Sequence, residues 1–73
     1  MNWSNNIEIN PEIRFGEPII IGTRISVSDV LNWMANGMNE AEIILEFPEL
    51  TSEAIRSCLK YASDKERKTR IAS

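Results

Sequence analysis

Four residues that break regular backbone, Pro11, Gly16, Pro18 and Gly22, crowd into the first third of the chain. After them, neither glycine nor proline occurs until Gly37. No helix of ordinary length fits through the first segment, because proline removes a backbone donor and glycine favours turns. Between the breakers lie short β-branched runs: Ile7-Glu8-Ile9, Ile13-Arg14-Phe15, Ile19-Ile20-Ile21 and Ile25-Ser26-Val27. Three of them alternate in the manner of half-buried strands. Residues 6–27 therefore read as a small β-arm or hairpin. A two-stranded unit is marginal alone, so it must pack on helices or on the same arm of a second chain.

At Val27 the period changes. Val27, Val30, Leu31, Met34, Ala35 and Met38 repeat at helical spacing and form one face. Ser26 or Ser28 suits the N-cap, Asp29 suits the first turn, and Asn36-Gly37 closes the helix. Asn39, with Glu42 three residues on, opens a second helix as a capping box. Its apolar stripe is expected at Ala41, Ile44 and Leu45, with Ile43 and Phe47 on the flanks, and Pro48 ends it. Thr51 caps a third helix, expected over 51–62, with Ala54, Ile55, Cys58, Leu59 and Ala62 inward and Tyr61 at the edge. Residues 28–62 thus form the helical core, and 63–73 a charged tail that either extends the third helix by a few turns or frays.

The chain has 73 residues, enough for one domain at most. Thirty-one of them are apolar, eleven being isoleucine, which suffices for one compact core. With a single cysteine no internal disulfide framework exists, and with no histidine every imidazole mechanism is excluded. Ser57-Cys58-Leu59-Lys60 matches the S-x-x-K string of serine acyl-transferases by chance, since its companion motifs are missing. The carboxylates Glu40, Glu42, Glu46, Glu49 and Glu53 suit caps and solvated faces, Cys58 suits a small core position, and the glycines lack phosphate-loop spacing. No enzyme, cofactor or metal site is expected. No signal segment or membrane span is visible, so the expected location is the cytoplasm.

Two short helices joined by a brief turn fit a helix-turn-helix, in which the second helix lies in the major groove. Ser52, Glu53, Arg56, Ser57 and Lys60 are then expected to project outward from the third helix. Arg56 and Lys60, four apart, would be neighbours there, and arginine is the natural bidentate reader of guanine. A three-helix packing unit with an ordinary solvated face explains the same pattern. Charge favours the first reading. Residues 1–50 carry two basic and eight acidic side chains, net −6, whereas residues 51–73 carry six and three, net +3. The overall −3 conceals a basic helix on an acidic body.

The stretch from Gly16 to Val27, with Gly16-Glu17-Pro18 upstream of Gly22-Thr23-Arg24-Ile25, resembles the signature of the domain of unknown function 433 family. The likeness continues through Gly37, Ile43 to Pro48, Leu50 to Ile55 and Tyr61-Ala62, and covers about residues 7–62. The resemblance implies a mainly α, homeodomain-like three-helix fold with an N-terminal β-arm. It also implies a VapB-type antitoxin role beside a PIN-like ribonuclease. Within the motif, Thr23 is expected to cap or brace a turn. Arg24 is either an anchor pairing with a carboxylate such as Glu12 or Glu17, or a partner or phosphate contact.

The leading expectation is a DNA-binding, antitoxin-like regulator acting as a homodimer on its own operator, with Arg56 and Lys60 as main contacts and Ser52 and Ser57 as helpers. The alternative is a protein-interaction module that binds a PIN-like nuclease without touching DNA, its acidic first fifty residues mimicking nucleic acid.

Overall fold

A computed structural model of the chain describes residues 3–72, the side chains of 68–72 excepted. A short 3-10 turn, Trp3–Asn5, leads into strand β1, Ile7–Ile9. Strand β2, Pro18–Ile20, runs antiparallel to it in the register Ile7 with Ile20, Glu8 with Ile19 and Ile9 with Pro18. Three helices follow: α1, Val27–Ala35; α2, Glu40–Glu46; and α3, Ser52–Ala72. The molecule is thus a two-stranded hairpin on three helices.

The hairpin packs on the chain's own helices. Ile7 and Ile20 share one core with Val27 and Val30 of α1, Ile43 of α2, and Ile55, Cys58 and Tyr61 of α3. Leu50, in the turn between α2 and α3, closes it from the side. Trp3 joins from the N-terminal turn and meets Tyr61 edge to face, 4.8 Å between ring centroids. Such a pair contributes about 1 kcal/mol beyond its buried area.

Helix starts follow the local sequence signals. The Ser26 hydroxyl accepts the Asp29 N–H while the Asp29 carboxylate accepts the Ser26 N–H, a complete capping box. Asn39 and Glu42 repeat it at α2. At α3 the Thr51 hydroxyl accepts the Ala54 N–H at 3.1 Å. Gly37 follows α1 with φ of 103°, a left-handed position that a side chain would strain. Thr23 braces the turn after β2 as expected, donating its hydroxyl to the Ile20 carbonyl and accepting the Ile25 N–H, both at 2.9 Å.

Several expectations are corrected. Ile13-Arg14-Phe15 is not a strand. Arg14, Phe15 and Gly16 all have positive φ, at 53°, 57° and 82°, and form a left-handed turn between the two strands. The chain must reverse there, and three turn hydrogen bonds do so: Ile13 N–H to Asn10, Gly16 N–H to Ile13 and Glu17 N–H to Arg14. Ile25-Ser26-Val27 makes a single bridge, Ser26 to Ile19, before α1 takes over. In α2 the phase is shifted by one residue: Ile43 is fully buried, and Leu45 is 84% exposed. Ile43 continues at helical spacing through Phe47, which stacks on Trp33 at 4.4 Å, to Leu50 in the turn. That longer row decides which side of a two-turn helix faces inward. In α3, Tyr61 is buried and Leu59 is 42% exposed, the reverse of the expected order. The inward row Ala54, Ser57, Cys58, Tyr61 follows the three- and four-residue steps of a packed helix. Of the two forms expected for the charged tail, helix α3 takes the extended one and continues past residue 62 to Ala72.

No described helix is long and apolar enough to cross a membrane. Cys58 is a free, buried thiol, and burial pushes its pKa up to about 11, so it is a poor nucleophile at neutral pH.

Candidate nucleic-acid interface

The outer side of α3 carries Ser52, Glu53, Arg56 and Lys60, spaced so that one side of the helix presents them together. Ser52 and Glu53 stand exposed beside the Thr51 cap. The side chain of Arg56 is 64% exposed and reaches Glu40 of α2, Nε to Oε2 at 3.7 Å. Lys60 lies one turn further along and pairs with Asp64, Nζ to Oδ1 at 3.2 Å. Asp64 also accepts the Trp3 indole N–H at 2.9 Å. The bonds from Lys60 and Trp3 hold its carboxyl below the ordinary aspartate value, so it is ionised at neutral pH. Solvent-exposed pairs like these contribute about 0–1 kcal/mol.

Ser57 does not belong to this face. It is fully buried, and its hydroxyl accepts a hydrogen bond from the Asn6 side-chain amide at 2.9 Å. The same amide donates to Glu53 at 3.2 Å, tying the N-terminal turn to the start of α3. Ser57 thus joins hairpin to helix, and its expected contact with DNA is withdrawn. It sits three residues after Ala54 and four before Tyr61, which puts it on the inward row, and its small hydroxyl fits there once Asn6 satisfies it.

The anchoring role weighed for Arg24 falls instead to Arg14. The Arg14 guanidinium pairs with Asp29 at 2.9 Å and Glu17 at 3.4 Å, and donates to the Arg24 backbone carbonyl at 3.1 Å. Arg24 itself is exposed, and among the described residues no carboxylate pairs with it. A sequence signal for Arg14 existed: it is one of only two cations among eight acidic residues in the first fifty. Burial raises the Asp29 carboxyl, but the Ser26 backbone N–H, Arg14 and the Ser26 hydroxyl outweigh it and leave the group below its ordinary value. At the far end of α3, Trp3, Tyr61, Asp64, Lys65 and Arg67 line a cleft of about 310 Å³. The Lys65 ammonium stands 5.3 Å from the centre of the Tyr61 ring. Lys68 and Arg70, also counted in the basic segment, have side chains outside the described residues. Among the described residues no group of histidine, cysteine or carboxylate side chains is placed to hold a metal ion.

Residues 7–62 match the model of a protein family of unknown function, DUF433. The chain belongs to the DUF433 family. Its fold is similar to that in the crystal structure of a DUF433 member protein from Anabaena variabilis ATCC 29413, with a TM-score of 0.80 at 27% sequence identity. That likeness covers 94% of this chain and 70% of the other. No curated protein matches. In this DUF433 protein, the stretch from Gly16 to Val27 does structural work: it makes the left-handed tip, β2, the Thr23 brace and the α1 cap. The exposed outer side of α3 lies outside that stretch.

Proposed function

We propose that this DUF433 protein is a DNA-binding, antitoxin-like regulator that works in the cytoplasm as a homodimer, binds its own operator, and catalyses no reaction. The α2–turn–α3 unit acts as a helix-turn-helix of homeodomain-like kind, with α3 in the major groove. The observation that carries the reading is the outward pair Arg56 and Lys60, one turn apart on a helix whose segment, 51–73, is net +3. Arg56 reads a base edge or a phosphate and Lys60 a phosphate, each leaving its carboxylate when DNA arrives. Ser52 adds a hydroxyl contact at the helix start, and exposed Arg24 is a second phosphate contact.

The test is a gel shift against DNA upstream of the protein's own coding sequence, over a salt series. Arg56→Ala and Lys60→Ala should each weaken binding and each reduce the salt slope by about one. Unchanged affinity and slope in both variants overturn the assignment of α3 to the groove.

A second reading is favoured by the acidic first fifty residues and by the fully exposed Phe15: a protein-interaction module that binds a PIN-like nuclease without DNA. Co-purification with such a nuclease, in a protein that shifts no DNA, selects it.

A further inference from the structure

The left-handed turn at the end of the hairpin holds its most exposed large apolar side chain. Phe15 stands wholly in solvent at φ 57°, ψ 32°, between Arg14 and Gly16, which are also left-handed. Aromatic residues rarely adopt that backbone, and hydrophobic burial within the chain gives no reason for it here. The turn is nonetheless braced, because Arg14 fastens it to Asp29 at the start of α1. Ile9, 58% exposed, lies at the same end of the hairpin, opposite Pro18. Glu12 and Glu17 flank the tip in sequence and give the apolar knob an acidic collar, in which Glu12 is exposed and Glu17 is paired with Arg14 at 3.4 Å.

The cleft at α3 has the complementary character. Trp3 and Tyr61, packed edge to face, supply an aromatic wall, Lys65 and Arg67 supply cations at its edge, and Asp64 lines it with a carboxylate already held by Lys60 and the Trp3 indole. Its volume of about 310 Å³ exceeds the roughly 150 Å³ known to admit a benzene ring. Phe15 does not fill the cleft of its own chain, being wholly exposed.

We infer that Phe15 of one copy inserts into the Trp3–Tyr61 cleft of a second copy, with the acidic collar meeting Lys65 and Arg67. The contact joins two different surfaces of the same chain. Closed reciprocally around a two-fold axis it gives a dimer, and left open it gives a longer chain of copies. The inference deepens the homodimer part of the proposed reading by naming its interface, and it does not depend on DNA binding.

Sedimentation velocity over a concentration series tests it, with the wild-type chain, Phe15→Asn and Lys65→Glu/Arg67→Glu. Asparagine tolerates the left-handed backbone, and circular dichroism with thermal melting checks the fold of each variant. Phe15→Gly stands in if Phe15→Asn melts early. The wild type should sediment at twice the 8.3 kDa monomer mass or more. Each variant alone should fall to the monomer. An equimolar mixture of Phe15→Asn with the double variant should recover association, since one copy keeps the cleft and the other the knob. A wild type that stays monomeric overturns the inference. So does a wild-type dimer that survives in both variants, although that result leaves a homodimer on the operator standing.

Discussion

Helices α1 and α2 open with the same device in different surroundings. At α1 the Ser26 hydroxyl accepts the Asp29 N–H at 2.9 Å and the Asp29 carboxylate accepts the Ser26 N–H at 3.1 Å. At α2 the Asn39 side chain accepts the Glu42 N–H at 2.8 Å, and Glu42 accepts the Asn39 N–H at 2.9 Å. In the α2 box both Asn39 and Glu42 are exposed, and their mutual bonds are local to the first turn. In the α1 box Ser26 is fully buried, bridged to Ile19 of the hairpin, and Asp29 receives Arg14 from the left-handed turn. One motif is a local cap. The other is a junction where turn, strand and helix meet, and a substitution there is felt in all three.

The largest expected effect is at that junction. Asp29→Ala removes a cap acceptor and leaves Arg14 without its closest carboxylate, and should cost roughly 2 kcal/mol in urea unfolding. If Glu42→Ala costs as much, the distinction between junction and local cap fails. Acid sharpens the same point. The folded Asp29 carboxyl lies below its ordinary value, so its contribution is complete at neutral pH and disappears as pH falls through the folded value. The melting temperatures of wild type and Asp29→Asn should therefore converge as the pH is lowered from 7 towards 3. A gap that stays constant would mean the carboxylate charge contributes nothing.

Phe15→Gly should act in the opposite direction. It relieves a left-handed phenylalanine and sacrifices no contact within its own chain, so at concentrations where the chain is monomeric it should stabilise the fold by about 1 kcal/mol in urea unfolding. The gain should shrink in an Arg14→Met background if Arg14 is what holds the turn. Asn39→Ala should cost about 1 kcal/mol, the ordinary value of an N-cap. Glu42→Gln, which keeps the reciprocal bond, should change stability by about 0.3 kcal/mol or less.

What was legible in the sequence follows the range of the interactions. The α2 capping box, the Thr51 cap, the Gly37 stop and the Thr23 brace are features of near neighbours, and residue types at fixed offsets reveal them, whereas at α1 Ser26 and Ser28 fit the cap equally well and only the fold selects the Ser26–Asp29 box. Phases were less legible. Ala41, Ile44 and Leu45 obey helical spacing as well as Ile43 does, and only the row through Phe47 to Leu50 breaks the tie. Ser57 was assigned outward because it is polar, and its burial depends on Asn6, fifty-one residues away in sequence. The same distance effect exchanged Arg24 for Arg14. Both precede α1, but the left-handed turn that aims Arg14 at Asp29 leaves no trace in an alternating Ile-Arg-Phe run. Of the candidate interface, Ser52, Arg56 and Lys60 stand exposed or half-exposed on the outer side of α3. The cleft, built from Trp3 and residues sixty positions later, had no local signature.

The hydrogen bond from the Trp3 indole to Asp64 spans sixty-one positions and sets a condition on the timing of biosynthesis. The N-terminal turn is translated first and acquires its aromatic and carboxylate neighbours last. At translation speeds of about 5–20 residues per second, Trp3 waits roughly 3–12 s for Asp64 to be made. Throughout that interval the isoleucine-rich hairpin has no α3 to lie against.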